Sequence, residues 1–293
     1  MELLIRNTAS DVVSIYLWRM IKLFATDIDG TLLDKNRFLS DRTCDELGKL
    51  DIPKILISAR MPQAMYYLQE ALHILESPMI CYNGALVLHK MEVLYELTIP
   101  FEEIKALTRI GQEFGLHVAL YRNTEWFVPV MDQWALREEH NTRVTPAVQD
   151  TSVTLDYLEQ TKDLGGAHKM MFMGEELAMD TAFAKVEQLF NSKIHAYRSK
   201  STYTEITPKG TSKEVALRKL LELKFPEIEM KDVAAFGDNY NDTDMLAAVG
   251  YGVAVENARE VVKKAAGYLT AHHKEDGVAR WLEQNVQNVQ KNA

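Results

Sequence analysis

Asp27 and Asp29 stand one residue apart at the end of the apolar run LFAT, and Gly30-Thr31 follow at once. In half-extended backbone such alternate side chains share a side, with Cα atoms roughly 6–7 Å apart. Two carboxylates held that way repel unless a cation, a proton or donor groups sit between them. A solvated turn is the competing reading, since Asp and Gly are common turn residues. Two further stretches weigh against it. Ser58-Ala59-Arg60 closes a second apolar run, IPKILI, and Gly237-Asp238-Asn239-Tyr240-Asn241-Asp242 closes a third, DVAAF. In an open parallel α/β sheet, ligands bind at the carboxyl ends of the strands. These runs would therefore gather four carboxylates, a hydroxyl, an amide and glycines at one edge. Oxygen ligands without His or Cys select a hard cation, and few protein ligands completed by water and phosphate suit Mg2+.

A positive counterpart lies in TPKGTSKEVAL. Thr211-Ser212-Lys213-Glu214 has the form of a capping box, with Thr211 as N-cap and Glu214 at the third helical position. Lys213 then falls in the first helical turn, where the helix dipole disfavours a cation. An anion bound at the helix start reverses that sign, so Lys213 reads as a phosphate clamp beside the acids, and as a solvated lysine without them.

The elements that must hold these groups follow from hydrophobic period. IKLFATD, IPKILIS, DVAAFGD and YGVAV are β-branched or apolar runs of strand length. Between them, SDRTCDELGKL reads as a helix with Ser40 as N-cap, and another helix opens after Arg60 with Pro62 in its first turn. KEVALRKLLELKF, TDMLAAVG, NAREVVKKAAGYL and GVARWLEQNVQNVQ read as helices, and Asn83-Gly84 between two apolar runs signals a hairpin. Strand alternating with helix predicts a doubly wound parallel sheet covered on both faces. The middle of the chain departs from that rhythm. VLYELTI, HVALYRN, EWFVPV and KMMFM read as strands and FEEIKALTRIGQEFG and EELAMDTAFAKVEQLFN as helices, which predicts a second α/β unit inserted into the first. Small residues at Asn83-Gly84-Ala85 and Ser199-Lys200-Ser201 suit the joins.

Composition bounds the function. The chain has 293 residues, 47% of them hydrophobic, enough for a full globular core. A formal charge of −9, from 33 basic and 42 acidic residues, argues against a nucleic-acid partner. Cys44 and Cys81 make no disulfide framework and fit a reducing, cytoplasmic setting; both read as small buried hydrophobes. No run of about 18 apolar residues is present, so no membrane partner is expected. Residues 1–20 lack a signal-peptide pattern, and DVVSIYLWRM within them could form an amphipathic helix. Nothing in the pattern specifies an oligomeric state. The eight histidines show no HExxH, and His272-His273 read as a loop rather than metal ligands. Met170, Met171 and Met173 suit strand packing, while Trp126 and Trp134 suit either a sugar face or a small core.

These motifs resemble the haloacid dehalogenase superfamily. Asp27-Ile28-Asp29-Gly30-Thr31-Leu32-Leu33 matches its DxDGTLL motif, Ser58 its second-motif hydroxyl, Lys213 its third-motif lysine, and GDNYND at 237–242 its GDxxND motif. NGA at Asn83 and DG at Asp276 point to the Cof-type, sugar-phosphatase-like subgroup with a type-2 cap. The likeness runs from Ile21 to about Leu282. It implies a Rossmann-like core at 21–88 and 198–293, an inserted α/β cap at 89–197, and an appendage at 1–20.

The resemblance also implies roles. Asp27 is the expected nucleophile and a Mg2+ ligand. Asp29 is the expected general acid and then base, with its backbone carbonyl on the metal. Ser58 and neighbouring backbone N–H groups, at Ile28 and Ala59, would hold phosphoryl oxygens, with Lys213 and Asn241. Asp238 would complete the metal ligands, and Asp242 would orient the metal shell or Lys213. Gly30 keeps the pocket free of a side chain, and Arg60 serves phosphate or a structural pair. Two departures stand out: Ala59 and Glu214 occupy positions where the family commonly has glycine. The expected function is Mg2+-dependent hydrolysis of a small phosphorylated metabolite through an aspartyl-phosphate. A phosphomutase of the phosphomannomutase type is the alternative, as is a silent phosphate-ligand binder, which retention of both Asp27 and Asp29 disfavours.

Overall fold

The computed structural model describes residues 21–286, so the expected appendage and amphipathic stretch, and the end of the last helix, lie outside the described residues. In chain order the elements begin β1 (Leu23–Thr26), α1 (Asp41–Gly48), β2 (Lys54–Ile57), α2 (Gln63–Ala71) and β3 (Met79–Cys81). Next come β4 (Leu86–His89), β5 (Glu92–Glu96), α3 (Phe101–Glu113), β6 (His117–Arg122), β7 (Glu125–Val128), α4 (Gln133–Thr142), β8 (Ala147–Val148) and α5 (Thr151–Gln160). They continue with β9 (Lys169–Met173), α6 (Glu176–Phe190), β10 (Ile194–Lys200), β11 (Tyr203–Pro208) and α7 (Lys213–Lys224). The last are β12 (Val233–Gly237), α8 (Thr243–Ala248), β13 (Tyr251–Val255), α9 (Glu260–Ala265), β14 (Tyr268–Thr270) and α10 (Gly277–Val286). The chain packs as two compact units. One comprises the described part of Met1–Ser58, Tyr67–Met79 and the described part of Lys213–Ala293; the other comprises Ala59–Tyr66 and Ile80–Ser212.

In the first unit, β14-β13-β12-β1-β2 form a parallel ladder in that order. Its central strands are buried on both faces, which is why LFAT, VAAFG and YGVAV read as continuous apolar runs without alternation. Phe24 packs on Phe236, and Trp281 of α10 meets Phe236 edge-on at 5.3 Å between ring centres. Ser40 caps α1, its hydroxyl accepting from Thr43 N at 3.1 Å. One expected helix ends early. NAREVVKKAAGYL is helical only to Ala265; Ala266 is extended and Tyr268–Thr270 pairs in parallel with Val253–Val255. Gly267 contributes little to a helix, and a strand satisfies the edge of β13 instead.

The second unit carries a six-stranded sheet in the order β10-β11-β9-β6-β7-β8, antiparallel except for β7 beside β8. Helices α3 and α6 pack on one another and bury Ile104, Leu107, Ile110, Met179, Ala182 and Val186 against Val118, Leu120, Met170 and Phe172. Strand alternation sends Lys169, Met171 and Met173 to the other face. All three methionines are buried, as the sequence suggested. Asn83 and Gly84 sit in a 3-10 turn with φ of 58° and 105°, while the antiparallel hairpin follows it, β4 against β5. Ser199-Lys200-Ser201 is the end of β10 and its turn into β11.

Candidate active site

Each acid of the site stands just past a strand of the parallel ladder. Asp27 N donates to Phe236 O at 2.9 Å, extending the β1–β12 pairing by one residue and setting its side chain at the carboxyl end of the sheet. Register places Thr26 opposite Phe236 and Leu56, so Gly237-Asp238 and Ile57-Ser58 leave the sheet at the same level. The chain turns away after Asp29 because Gly30 adopts φ +86°, and Leu32 and Leu33 N–H groups close on Ile28 O. A Cβ on Gly30 would lie 2.5 Å from Asp238 Oδ2, so this glycine is also a matter of space.

Lys213 links the acids. Its Nζ donates to Asp27 Oδ1 and to Asp242 Oδ1, both at 2.6 Å, and the residue is only 1% exposed. Asp242 is saturated on its other oxygen, which accepts from Asp238 N at 2.9 Å and Asn239 N at 3.0 Å. Asp242 thereby fixes both the lysine and the turn that presents Asp238. Asp242 packs close over Gly237: a Cβ at Gly237 would meet the Asp242 side chain at 2.5 Å. Asn241 follows half-buried in the same 3-10 turn, Tyr240–Asp242. The Thr211 capping box does not form. Helix α7 begins at Lys213, Thr211 Oγ1 is buried without a partner, and Glu214 pairs with Arg218. The anion that offsets the positive helix start is supplied by the chain's own Asp27 and Asp242.

Burial sets the electrostatics. It pushes the Asp27 carboxyl up to about 8, with Lys213 opposing and Asp242 and Asp238 adding to the rise. Asp238 rises to about 6, again from burial first and the Asp242 charge second. Burial would lower Lys213, but the carboxylates of Asp242 and Asp27 outweigh it and hold the ammonium raised. Asp27, Asp238 and Asp242 each offer an oxygen within 4.8 Å of the others. Three carboxylates against one ammonium leave excess negative charge when all are ionised, which a hard divalent cation would balance. Asp27 and Asp238 fit that ion best, since donors already occupy both oxygens of Asp242.

Asp29 lies nearer solvent, and its Oδ1 accepts from Arg37 Nη2 at 2.8 Å. Arg37 and Asn257 (whose amide donates to Gly30 O at 2.8 Å) were not singled out by sequence, and Thr31, named there only as a motif residue, donates from its hydroxyl to Asp238 Oδ1 at 3.3 Å. Ser58 is buried directly after β2. Ala59 and Arg60 pack with the second unit, where Arg60 Nη1 donates to Ala64 O at 3.1 Å, a structural bond. His273 Nδ1 pairs with Leu33 O at 2.6 Å and so is a packing group. Trp126 stacks on Tyr121 and Trp134 meets Tyr203 edge-on, both inside the second unit.

A sequence model of the haloacid dehalogenase-like hydrolases matches residues 24–282. A Haemophilus influenzae protein is 31% identical over 274 residues, covering 90% of this chain and 98% of its own. The 5-amino-6-(5-phospho-D-ribitylamino)uracil phosphatase of Bacillus subtilis is 28% identical over 284 residues, covering 89% of this chain and 96% of its own. Among solved structures, a haloacid dehalogenase-like hydrolase from Bacteroides thetaiotaomicron superposes with a TM-score of 0.82 at 27% identity, over 90% of this chain and 99% of that one.

Proposed function

This chain belongs to the haloacid dehalogenase-like hydrolases, and from that premise we propose that it is a Mg2+-dependent phosphatase of small, sugar-phosphate-like monoesters that works through an aspartyl-phosphate. The observation that carries the proposal is the buried Lys213 joined to Asp27 and Asp242, with Asp238 beside them. A phosphate ester is the substrate such a site suits once a divalent cation offsets its excess carboxylate charge, because the ester's oxygens would then meet that cation and the Lys213 ammonium. The Bacillus relative, by its name, acts on the phosphate of a ribityl chain, which is a small polyol ester of this class.

Asp27 attacks phosphorus through a carboxylate oxygen; the Asp27 O–P bond forms as the bond from phosphorus to the leaving oxygen breaks. Lys213 holds Asp27 Oδ1, which fixes the plane of the carboxylate and opposes the rise that burial imposes on it. Asp29 gives its proton to the leaving oxygen, then takes one from the water that attacks the aspartyl-phosphate and frees inorganic phosphate. Its position near solvent suits that double role, since both the alcohol and the water must reach it. Ser58 and the N–H groups around it bind the phosphoryl oxygens. Mg2+, held by Asp27, Asp238 and the Asp29 carbonyl, would supply neutralisation of charge on the phosphoryl group.

The test is phosphate release from a panel of sugar and polyol phosphates, with and without Mg2+. Release that needs Mg2+ and disappears in Asp27→Asn is expected. An isomerised ester without free phosphate would identify a mutase, and no turnover of any ester would identify a binder.

A further inference from the structure

The first unit turns an arginine back onto the acid that serves the leaving group. Arg37 stands in the turn between β1 and α1, half exposed, and its Nη2 donates to Asp29 Oδ1 at 2.8 Å. A guanidinium carries five N–H donors and this bond uses one; the others have no partner among the described residues. The ion pair alone is a weak reason for an arginine here. An exposed pair adds little to stability, and Arg37 adopts φ 63°, a left-handed conformation that Asn or Gly takes at lower cost.

The turn is held at its tip and at its base. Asp34 Oδ1 accepts from Asn36 N at 2.8 Å and from Phe38 N at 2.9 Å. Asp34 N donates to Phe38 O at 2.9 Å, and Arg37 N donates to Asp34 O at 3.1 Å. Below the tip, the Asn257 amide donates to Gly30 O at 2.8 Å, and its Oδ1 accepts from His273 N at 3.1 Å. His273 Nδ1 donates in turn to Leu33 O at 2.6 Å, since a carbonyl oxygen can only accept. All of these residues lie in the first unit. Bound in this way, the turn presents the guanidinium beside Asp29 with little ordering left to do when a ligand arrives.

We infer that Arg37 is a specificity-determining residue: it binds an acceptor, a carboxylate in preference to a hydroxyl, that the leaving alcohol carries one or two carbons from the ester oxygen. The inference rests on the reading of Asp29 as proton donor to that oxygen. Such a donor works at about 2.6–3.2 Å, so the ester oxygen comes within about 6 Å of Arg37 Nη2. An oxygen farther along the alcohol spans the remaining gap, and the other N–H groups of the guanidinium can take it without releasing Asp29. The planar fork meets a carboxylate with two parallel bonds and a hydroxyl with one, which sets the order of preference. An alcohol that ends in a methyl group offers it no acceptor.

The experiment uses the full chain with Mg2+ and three esters that share one CH2–O–P unit: ethyl phosphate, 2-hydroxyethyl phosphate and carboxymethyl phosphate. Wild type, Arg37→Gln, Arg37→Lys and Asp27→Asn are compared by kcat/KM. Each ester is also run as a competitor of an activated aryl phosphate, so that a slow ester still yields a binding constant. Arg37→Gln is expected to lower the ratio of carboxymethyl to ethyl phosphate, in kcat/KM and in competition, on the order of tenfold or more, the scale of one hydrogen bond between charged groups. The ratio of 2-hydroxyethyl to ethyl phosphate should fall by less. Arg37→Lys keeps the charge without the fork and should recover part of the loss. Unchanged ratios in Arg37→Gln would overturn the inference: an equal loss on all three esters makes Arg37 a support of Asp29 alone, and no loss makes it a surface pair. Turnover that survives in Asp27→Asn, or no turnover of any ester by wild type, would overturn the reading of the site and the inference with it. Phosphate release that needs Asp27 while the ratios stay fixed leaves that reading standing and removes only the role of Arg37.

Discussion

Removing the Lys213 ammonium would strand two buried carboxylates, so its loss is expected in stability as well as rate. Lys213→Met should cost on the order of 10²–10³ in kcat, the scale of one preorganised charge-stabilising donor, and about 3–5 kcal/mol of stability. Lys213→Met with Asp242→Asn removes a charge from each partner and should regain much of the stability while staying slow. Denaturant unfolding together with turnover checks this, and a double variant no more stable than the single one would count against the bridge. A second prediction concerns protons. Asp27 and Asp238 are raised from 3.8 to about 8 and about 6. The folded, metal-free protein therefore holds protons that the unfolded chain has lost, and its stability should fall as pH rises from about 4 to about 8. Mg2+ binds the ionised form, so its stabilising effect should grow over the same window. Thermal unfolding in chelator, for wild type and Asp27→Asn, tests the sign: the variant should have the flatter profile, and equal slopes would refute it. Asp27, Asp238, Asp242 and Lys213 were legible in the sequence because each stands beside a strand end or helix start that period alone locates. Arg37 and Asn257 were not, since the bonds to Asp29 and Gly30 O depend on how loops fold back.

At the scale of elements, β1, β2, β12 and β13 of the parallel ladder were read correctly because buried strands leave unbroken apolar runs, whereas the half-exposed edge strand β14 was read as the end of a helix. Helices α4 and α5 were missed. Only Ala135 is buried in α4, and only Thr154 and Leu158 in α5, so neither presents a periodic apolar stripe. The signal that could have revealed α4 is its cap: Asp132 Oδ1 accepts from Trp134 N at 2.9 Å and Ala135 N at 3.0 Å. The capping box expected at Thr211 failed for the converse reason, since the spacing fits but the helix begins one residue later than that cap requires. The turn between β1 and α1 carries its own prediction. Gly30→Ala places a methyl against Asp238 and forces φ +86° on an L side chain, a strain of about 1–2 kcal/mol before the clash is counted. Asp238 must move, so the variant should need more Mg2+ for half-maximal activity while retaining secondary structure. Mg2+ titration of phosphate release measures this, and an unchanged requirement would mean that Asp238 is not a ligand.

For the whole molecule, the oxygen-only site predicts that exhaustive chelation abolishes turnover, that Mg2+ restores it, and that Ca2+ does not. Ca2+ takes longer and more numerous bonds and would misplace nucleophile and phosphorus. Full activity in Ca2+ alone would argue against a site built around Asp27 and Asp238. The second unit is built from two segments of chain and not from one insertion. Ala59–Tyr66 packs with the second unit although it continues directly from Ser58 of the first. In engineering terms the unit is not a cassette. A graft of residues 80–212 onto the core of a relative would carry Lys169 and Tyr82 N–H but leave behind the two carbonyls they hold. Such a chimera would bring a lysine whose acceptor must be furnished by foreign backbone, and the residues after Ser58 would need to travel with the graft. Exchange of this unit between relatives should therefore be attempted in two pieces, 59–66 and 80–212, and not in one.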